Sequence, residues 1–185
     1  QAPTGIGKTL GTVFPMLKAC GEGKLDHVFF LTAKTPGRAL ALDAARTLGA
    51  GTPALPLRVL ELVARDKACE HPDRACHGES CPLAQGFYDR LPAARDAAIG
   101  AGLLDRETVR AAALAHDVCP YYLAQELARW SDMAIGDYNY YYDGSAMLHA
   151  LAQQNQWRVG VLVDEAHNLL DRARRMYSAS LDPFA

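Results

Sequence analysis

Nothing in this sequence approaches the run of about 20 apolar residues that a membrane-crossing helix needs, so it offers no candidate transmembrane span. Positive charge is not in surplus either. The formal net charge is −2, so overall charge does not announce nucleic acid, and any such site must be a local patch. Lysine is scarce, with 5 Lys against 14 Arg, which favours planar, phosphate-seeking contacts over point charges. Internal repeats and low-complexity tracts are absent. Cysteine is sparse and odd in number, at five. Beside a nucleotide loop this reads as reduced thiols or metal ligands rather than a disulfide framework, and a cytoplasmic location is the expectation. What remains is ordinary for a globular protein: half the residues are hydrophobic and 22% are charged. A length of 185 residues suits one well-buried domain, or one domain carrying an insertion.

The first stretch with chemical content is Ala2-Pro-Thr-Gly-Ile-Gly-Lys-Thr9. It reads A-x-x-x-x-G-K-T, a phosphate loop with Ala at the first glycine position. Gly5 and Gly7 let successive N–H groups converge on phosphate oxygens. Lys8 supplies a charge for the β- and γ-phosphates, and the Thr9 hydroxyl suits Mg²⁺. A helix starting near Lys8 would set its positive end under the same phosphates. The bland alternative is a glycine-rich turn that holds nothing. A strand should lead into such a loop, so the chain is expected to be a fragment cut just before its nucleotide site.

The order of elements predicts an α/β fold. A helix runs from Lys8 to about Ala19 with a kink at Pro15. Val28-Phe-Phe-Leu31 is a buried parallel strand, Thr32–Arg38 a loop, Arg38–Leu48 a helix, and Leu57–Leu60 a further strand. From about Leu62 to Cys119 the texture changes, with four cysteines, clustered Arg and no clear strand. Within it, Ala93–Ile99 and Asp105–His116 look helical. This segment reads as an insertion with its own organising centre. Strand pattern returns at Met133-Ala-Ile135 and over Tyr138–Tyr142. Ser145 is the expected cap of a helix reaching Gln154. Val159-Gly-Val-Leu-Val163 is a second buried strand, and a helix from about Asn168 to Met176 closes the pattern.

Asp164-Glu-Ala-His167 follows that strand directly. In open α/β sheets ligands bind at the carboxyl ends of the strands, so these acids should face the phosphate loop. Asp164 can hold Mg²⁺ opposite Thr9, Glu165 can polarise the attacking water, and His167 can hydrogen-bond toward a moving neighbour. Taken alone, an Asp-Glu pair would be an ordinary strand exit. Cys69, Cys76, Cys81 and Cys119 are spaced by six, four and thirty-seven residues. Four thiolates on a loop-rich frame suit a [4Fe–4S] cluster. Zinc is a serious rival on spacing alone, and unconnected core thiols are a third reading. His71 and His77 are possible substitutes as ligands, and Cys20 is an ordinary thiol.

Taken with Leu31-Thr-Ala-Lys-Thr35, Cys119-Pro-Tyr-Tyr122 and Val163-Asp-Glu-Ala-His-Asn168, these stretches resemble the iron–sulfur DNA helicases of the XPD/DinG type in superfamily 2. The segment Ala134–Asp143 matches the strand and turn those proteins place before the acidic motif. The resemblance implies a RecA-like parallel sheet with helices on both faces, interrupted by a mainly helical iron–sulfur insertion. Residues 1–61 and 121–185 would be the two parts of motor lobe 1, and 62–120 the insertion. Gly5, Gly7, Lys8 and Thr9 would bind ATP and Mg²⁺. Asp164 would hold Mg²⁺, Glu165 would activate water, and His167 would link hydrolysis to DNA. Cys69, Cys76, Cys81 and Cys119 would ligate a [4Fe–4S] cluster. Thr32, Lys34 and Thr35 would face the backbone of single-stranded DNA. Arg65, Lys67, Arg74, Arg90 and Arg95, with Phe87 and Tyr88, could form a DNA patch around the cluster. The implied partners are single-stranded and fork DNA and a second RecA-like lobe of the same protein, and the implied polarity is 5′ to 3′. Without that lobe and a further arch-shaped domain, the fragment alone should not unwind DNA. Two rival readings are an ATP-gated, redox-sensitive DNA-binding module and a zinc-bearing docking insertion on an ATPase.

Overall fold

Strand β1 (His27–Leu31) is buried from Val28 to Leu31, and the strands Met133–Gly136 and Val159–Val163 pair on either side of it. The computed structural model describes residues 7–51, 56–144 and 146–179. Helix α1 (Lys8–Gly21) precedes β1, and α2 (Thr35–Gly49) follows it. Next come β2 (Val59–Glu61), α3 (Arg65–Ala68), α4 (Phe87–Ile99), β3 (Leu103–Leu104), α5 (Arg106–Ala115) and α6 (Pro120–Leu127). The last elements are β4 (Met133–Gly136), α7 (Asn139–Tyr142), α8 (Met147–Gln154), β5 (Val159–Val163), a 3₁₀ turn (Ala166–Asn168) and α9 (Leu169–Met176). Among the described residues the five strands are parallel, in the order β3-β2-β4-β1-β5. No helix there is long and apolar enough to cross a membrane.

Alternation along the strands divides the interior into two layers. Val28, Phe30, Val59, Met133 and Ile135 point to one face and pack on Val13 of α1 and on Ala41, Leu42 and Ala45 of α2. Phe29, Leu31, Leu60, Leu62 and Ala134 point to the other, against Ala94, Val109, Leu123 and Leu148 of α4, α5, α6 and α8. Helices therefore cover both faces, the RecA-like α/β arrangement. In register, Leu31 of β1 pairs with Gly136 of β4 and Val163 of β5. The three strand exits thus meet at one edge of the sheet.

Several expectations are corrected. The segment after Leu62 does contain a strand: Leu103–Leu104 pairs with Val59–Leu60 at the sheet edge. Two residues are too few to show a period of two. Helices α4, α5 and α6 share one core with Phe29 and Leu60, so packing does not set residues 62–120 apart from the sheet. Tyr138–Tyr142 is not a strand but the short helix α7. Its aromatic β-propensity is overridden by Asp137, whose carboxylate accepts from the Asn139 N–H at 3.0 Å and turns the chain. Helix α2 begins at Thr35 rather than Arg38, because Pro36 stands in its first turn with φ preset for a helix. Strand β5 is half-buried rather than buried, apart from Gly160, because it lies at the edge of the described sheet. Ser145 lies outside the described residues, and Ala146 flanks α8 without a side-chain cap.

Candidate nucleotide site and adjoining groove

Gly7 opens α1 in the left-handed region, at φ 75°, a conformation glycine adopts without penalty. Lys8 follows exposed, and Thr9 half-buried; Gly5 lies outside the described residues. The helix then runs down one face of the sheet. A Cβ on Gly160 would stand 3.0 Å from Met16 Sδ, so α1 crosses β5 near its start. Counted from that crossing, Asp164 is four residues up the strand, about 13 Å at 3.3 Å per residue. Thr9 stands in the first turn of α1, seven residues before Met16. Asp164 thus stands at the carboxyl edge of the sheet, beside the exit of β1.

Asp164 is held from three sides. Its N–H donates to Leu31 O at 2.8 Å, continuing the ladder. The Thr32 hydroxyl donates to Asp164 Oδ2 at 3.1 Å. The Tyr138 hydroxyl donates to Asp164 O and stands 3.3 Å from Glu165 O. Burial, then the nearby Asp164, Asp137 and Glu165 carboxylates, push the Tyr138 phenol above its usual pKa, so it stays a donor. Gly37 closes the fourth side. A Cβ there would stand 2.3 Å from Thr32 Oγ1 and 2.7 Å from Asp164 Oδ2. Only a bare Cα lets α2 approach this closely. Glu165 itself has φ 50°, unusual for a non-glycine residue, and its Oε2 lies 3.3 Å from Nδ1 of the exposed His167.

Thr32 thus does not face a DNA backbone. It is 1% exposed and its hydroxyl is committed to Asp164. Lys34 and Thr35 are exposed. Beside them a groove of about 490 Å³ opens over the exits of β1, β2 and β4. Its walls carry Thr35, Arg65, Lys67, Tyr121, Tyr140 and Arg172. Gly136 admits the Tyr140 ring, which a Cβ would meet at 2.8 Å. Arg172 of α9 donates to Asp137 Oδ1 at 2.9 Å and to Asn139 Oδ1 at 3.2 Å. The wider DNA patch around the cysteines is not assembled as expected. Arg90 turns inward onto the carbonyls of Pro82, Gln85 and Asp117. Arg95 pairs with Asp96 and Glu126 and lies 4.7 Å over the Trp130 ring. Phe87 packs against the core. Arg65 and Lys67 keep their place beside the groove, and Tyr88 stays exposed.

Cys119 stands at the N-cap position of α6, without a side-chain cap hydrogen bond. Burial pushes its thiol pKa up, the backbone N–H groups of Tyr122 and Tyr121 pull it down, and Cys69 and Cys81 are close enough to act on it. Cys76 and Cys119 both act on Tyr122. Of the four thiols, Cys81 is buried, Cys69 and Cys119 are half-buried and Cys76 is exposed. Among the described residues no three His, Cys, Asp or Glu side chains converge tightly enough to hold one metal ion. Sequence reasoning missed Gly37, Tyr138 and Arg172; only the unexplained glycine after Thr-Pro gave a signal.

Two comparisons bear on this geometry. The DEAD_2 family model matches residues 57–183, more than half of the chain. The chain is also 26% identical over 139 residues to regulator of telomere elongation helicase 1 of Bos taurus. That match covers 68% of this chain and 11% of the bovine protein, so the chain spans about a tenth of that relative. With a five-stranded parallel sheet covered by helices on both faces and the family model matched over residues 57–183, this chain belongs to the DEAD_2 family of XPD-like superfamily 2 helicases.

Proposed function

We propose that this chain is the first motor lobe of an ATP-dependent DNA helicase that works 5′ to 3′ and carries an iron–sulfur insertion. The observation that carries the reading is the Asp164 carboxylate, held by Thr32 and Gly37 at the carboxyl edge of a parallel sheet, in a chain whose Gly7-Lys8-Thr9 opens α1. Thr32 occupies Oδ2, which leaves Oδ1 for the water shell of Mg²⁺. Thr9 would supply a hydroxyl ligand to Mg²⁺, and Lys8 and the N–H groups after Gly7 would hold the phosphates. Glu165, on its left-handed backbone, aims a second carboxylate apart from the first and polarises the attacking water. Lys34, Thr35, Arg65 and Lys67 receive phosphodiesters along the groove, and Tyr121 and Tyr140 offer ring faces to bases. The second RecA-like lobe of the full-length protein closes over the nucleotide, and fork DNA is the substrate. The lobe alone does not unwind.

Cys69, Cys76, Cys81 and Cys119 would hold a [4Fe–4S] cluster. Four cysteines on a loop-rich frame support this choice. When bound, the cluster crosslinks four distant chain positions into a rigid unit. The test of the reading is Lys8→Ala in the full-length protein. DNA-stimulated ATP turnover should fall to background while the brown colour persists; undiminished turnover would contradict the reading.

A further inference from the structure

Resting on the reading just given, we infer that Tyr138 is the positioning residue through which polynucleotide in the groove acts on the Asp164–Glu165 turn. His167 is 71% exposed on its side chain and stands 3.3 Å from Glu165 Oε2, on the acidic turn itself. The segment 137–140 touches both sites at once. On the groove side, Asp137 and Asn139 accept from Arg172, and the Tyr140 ring lines the wall. On the nucleotide side, Tyr138 is fully buried and its hydroxyl lies between two carbonyls, Asp164 O and Glu165 O. Adjacent residues of one tight turn therefore face opposite ways.

In the structure the phenol sits nearer Asp164 O than Glu165 O. A phenol has one proton and cannot serve two carbonyls fully, so it favours one peptide of the acidic turn or the other. A phosphodiester entering the groove competes with Asp137 and Asn139 for the Arg172 guanidinium, which suits phosphate in a bidentate fork. Freed from Arg172, the 137–140 turn shifts the phenol relative to the two carbonyls. The carboxylates on that peptide then change direction toward Mg²⁺ and water. Arg172 closes the circuit, because its helix begins just after the acidic turn.

The experiment is a binding cycle on the full-length protein. The affinity for a non-hydrolysable Mg·ATP analogue is measured with and without saturating oligothymidylate, and the reverse pair checks reciprocity. Wild type should show a factor of fivefold or more, within the ordinary range of about 5–150. Tyr138→Phe keeps the ring and should bring the factor to within twofold of unity, whatever happens to either separate affinity. A purely structural role would move the affinities and leave their ratio. Arg172→Gln breaks the groove end of the same link and should also collapse the ratio; it decides the matter if Tyr138→Phe does not fold. An undiminished ratio in either folded variant overturns the inference. Wild type that binds neither ligand would instead overturn the motor reading beneath it.

Discussion

Replacing Gly37 with alanine probes the packing that fixes Asp164. In an exposed helix interior, Gly→Ala is worth about 1 kcal/mol in the favourable direction. Here the new methyl would stand 2.3 Å from Thr32 Oγ1 and 2.7 Å from Asp164 Oδ2. Overpacking of this kind costs about 1–3 kcal/mol. A lost hydrogen bond to a charged group costs about 1.5–3 kcal/mol. The two penalties overlap, because the shift that relieves the clash also parts Thr32 from Asp164. Net destabilisation should be roughly 2 kcal/mol, read as a lower urea midpoint with an unchanged slope. Mg²⁺-dependent nucleotide affinity should fall with it. Gly49→Ala is the control on the same helix: a Cβ at Gly49 meets nothing within 4 Å, so stability should hold or rise. If Gly37→Ala also holds or rises, the account of how Asp164 is held is wrong.

Leu104 is fully buried in the core shared by the sheet and α4–α6. Leu104→Ala should therefore cost about 2–5 kcal/mol in one transition for the lobe, and a separate early transition would show that residues 62–120 fold apart. Asp26 accepts from the Arg158 side chain and N–H, which hold its pKa at about 2. A depressed carboxylate pKa stabilises the fold above about pH 4 and loses that contribution as pH falls toward 2. Asp26→Asn should thus flatten the acid limb of the stability–pH curve, and an unaltered limb would contradict the pairing. Cys119→Ser should bleach absorption near 400 nm, the region expected of iron–sulfur proteins, while much of the nucleotide binding stays. A chromophore that survives the substitution removes Cys119 from the ligand set.

Much of the fold was legible because two signals are strong in this chain. Apolar runs at Val28–Leu31, Met133–Ile135 and Val159–Val163 each became parallel strands. Glycines and prolines marked most of the breaks between elements. Legibility failed where tertiary contacts outweigh local preference. Tyr138–Tyr142 carries strand-forming side chains, yet the Asp137 turn and the buried Tyr138 bond make it helical. Leu103–Leu104 is a strand only because β2 lies beside it. At the site, the apolar run before Asp164 marked it as a strand exit, and the structure has it there, its N–H on Leu31 O. The inward hydroxyl of Thr32 could not be read, because an exposed and a buried threonine look alike in sequence. Arg90 and Arg95 show the same limit: a cluster of arginines predicts a phosphate surface, while carbonyls and carboxylates fold in to take the charge.

The central claim is that one Mg·nucleotide sits between the start of α1 and the end of β5. A crystal structure with Mg²⁺ and a non-hydrolysable ATP analogue tests it most directly. The account predicts phosphates over Gly7 and Lys8, with the metal between Thr9 Oγ1 and the Asp164 carboxylate. A nucleotide bound elsewhere, with Thr9 and Asp164 too far apart to share a hydrated ion, would contradict it.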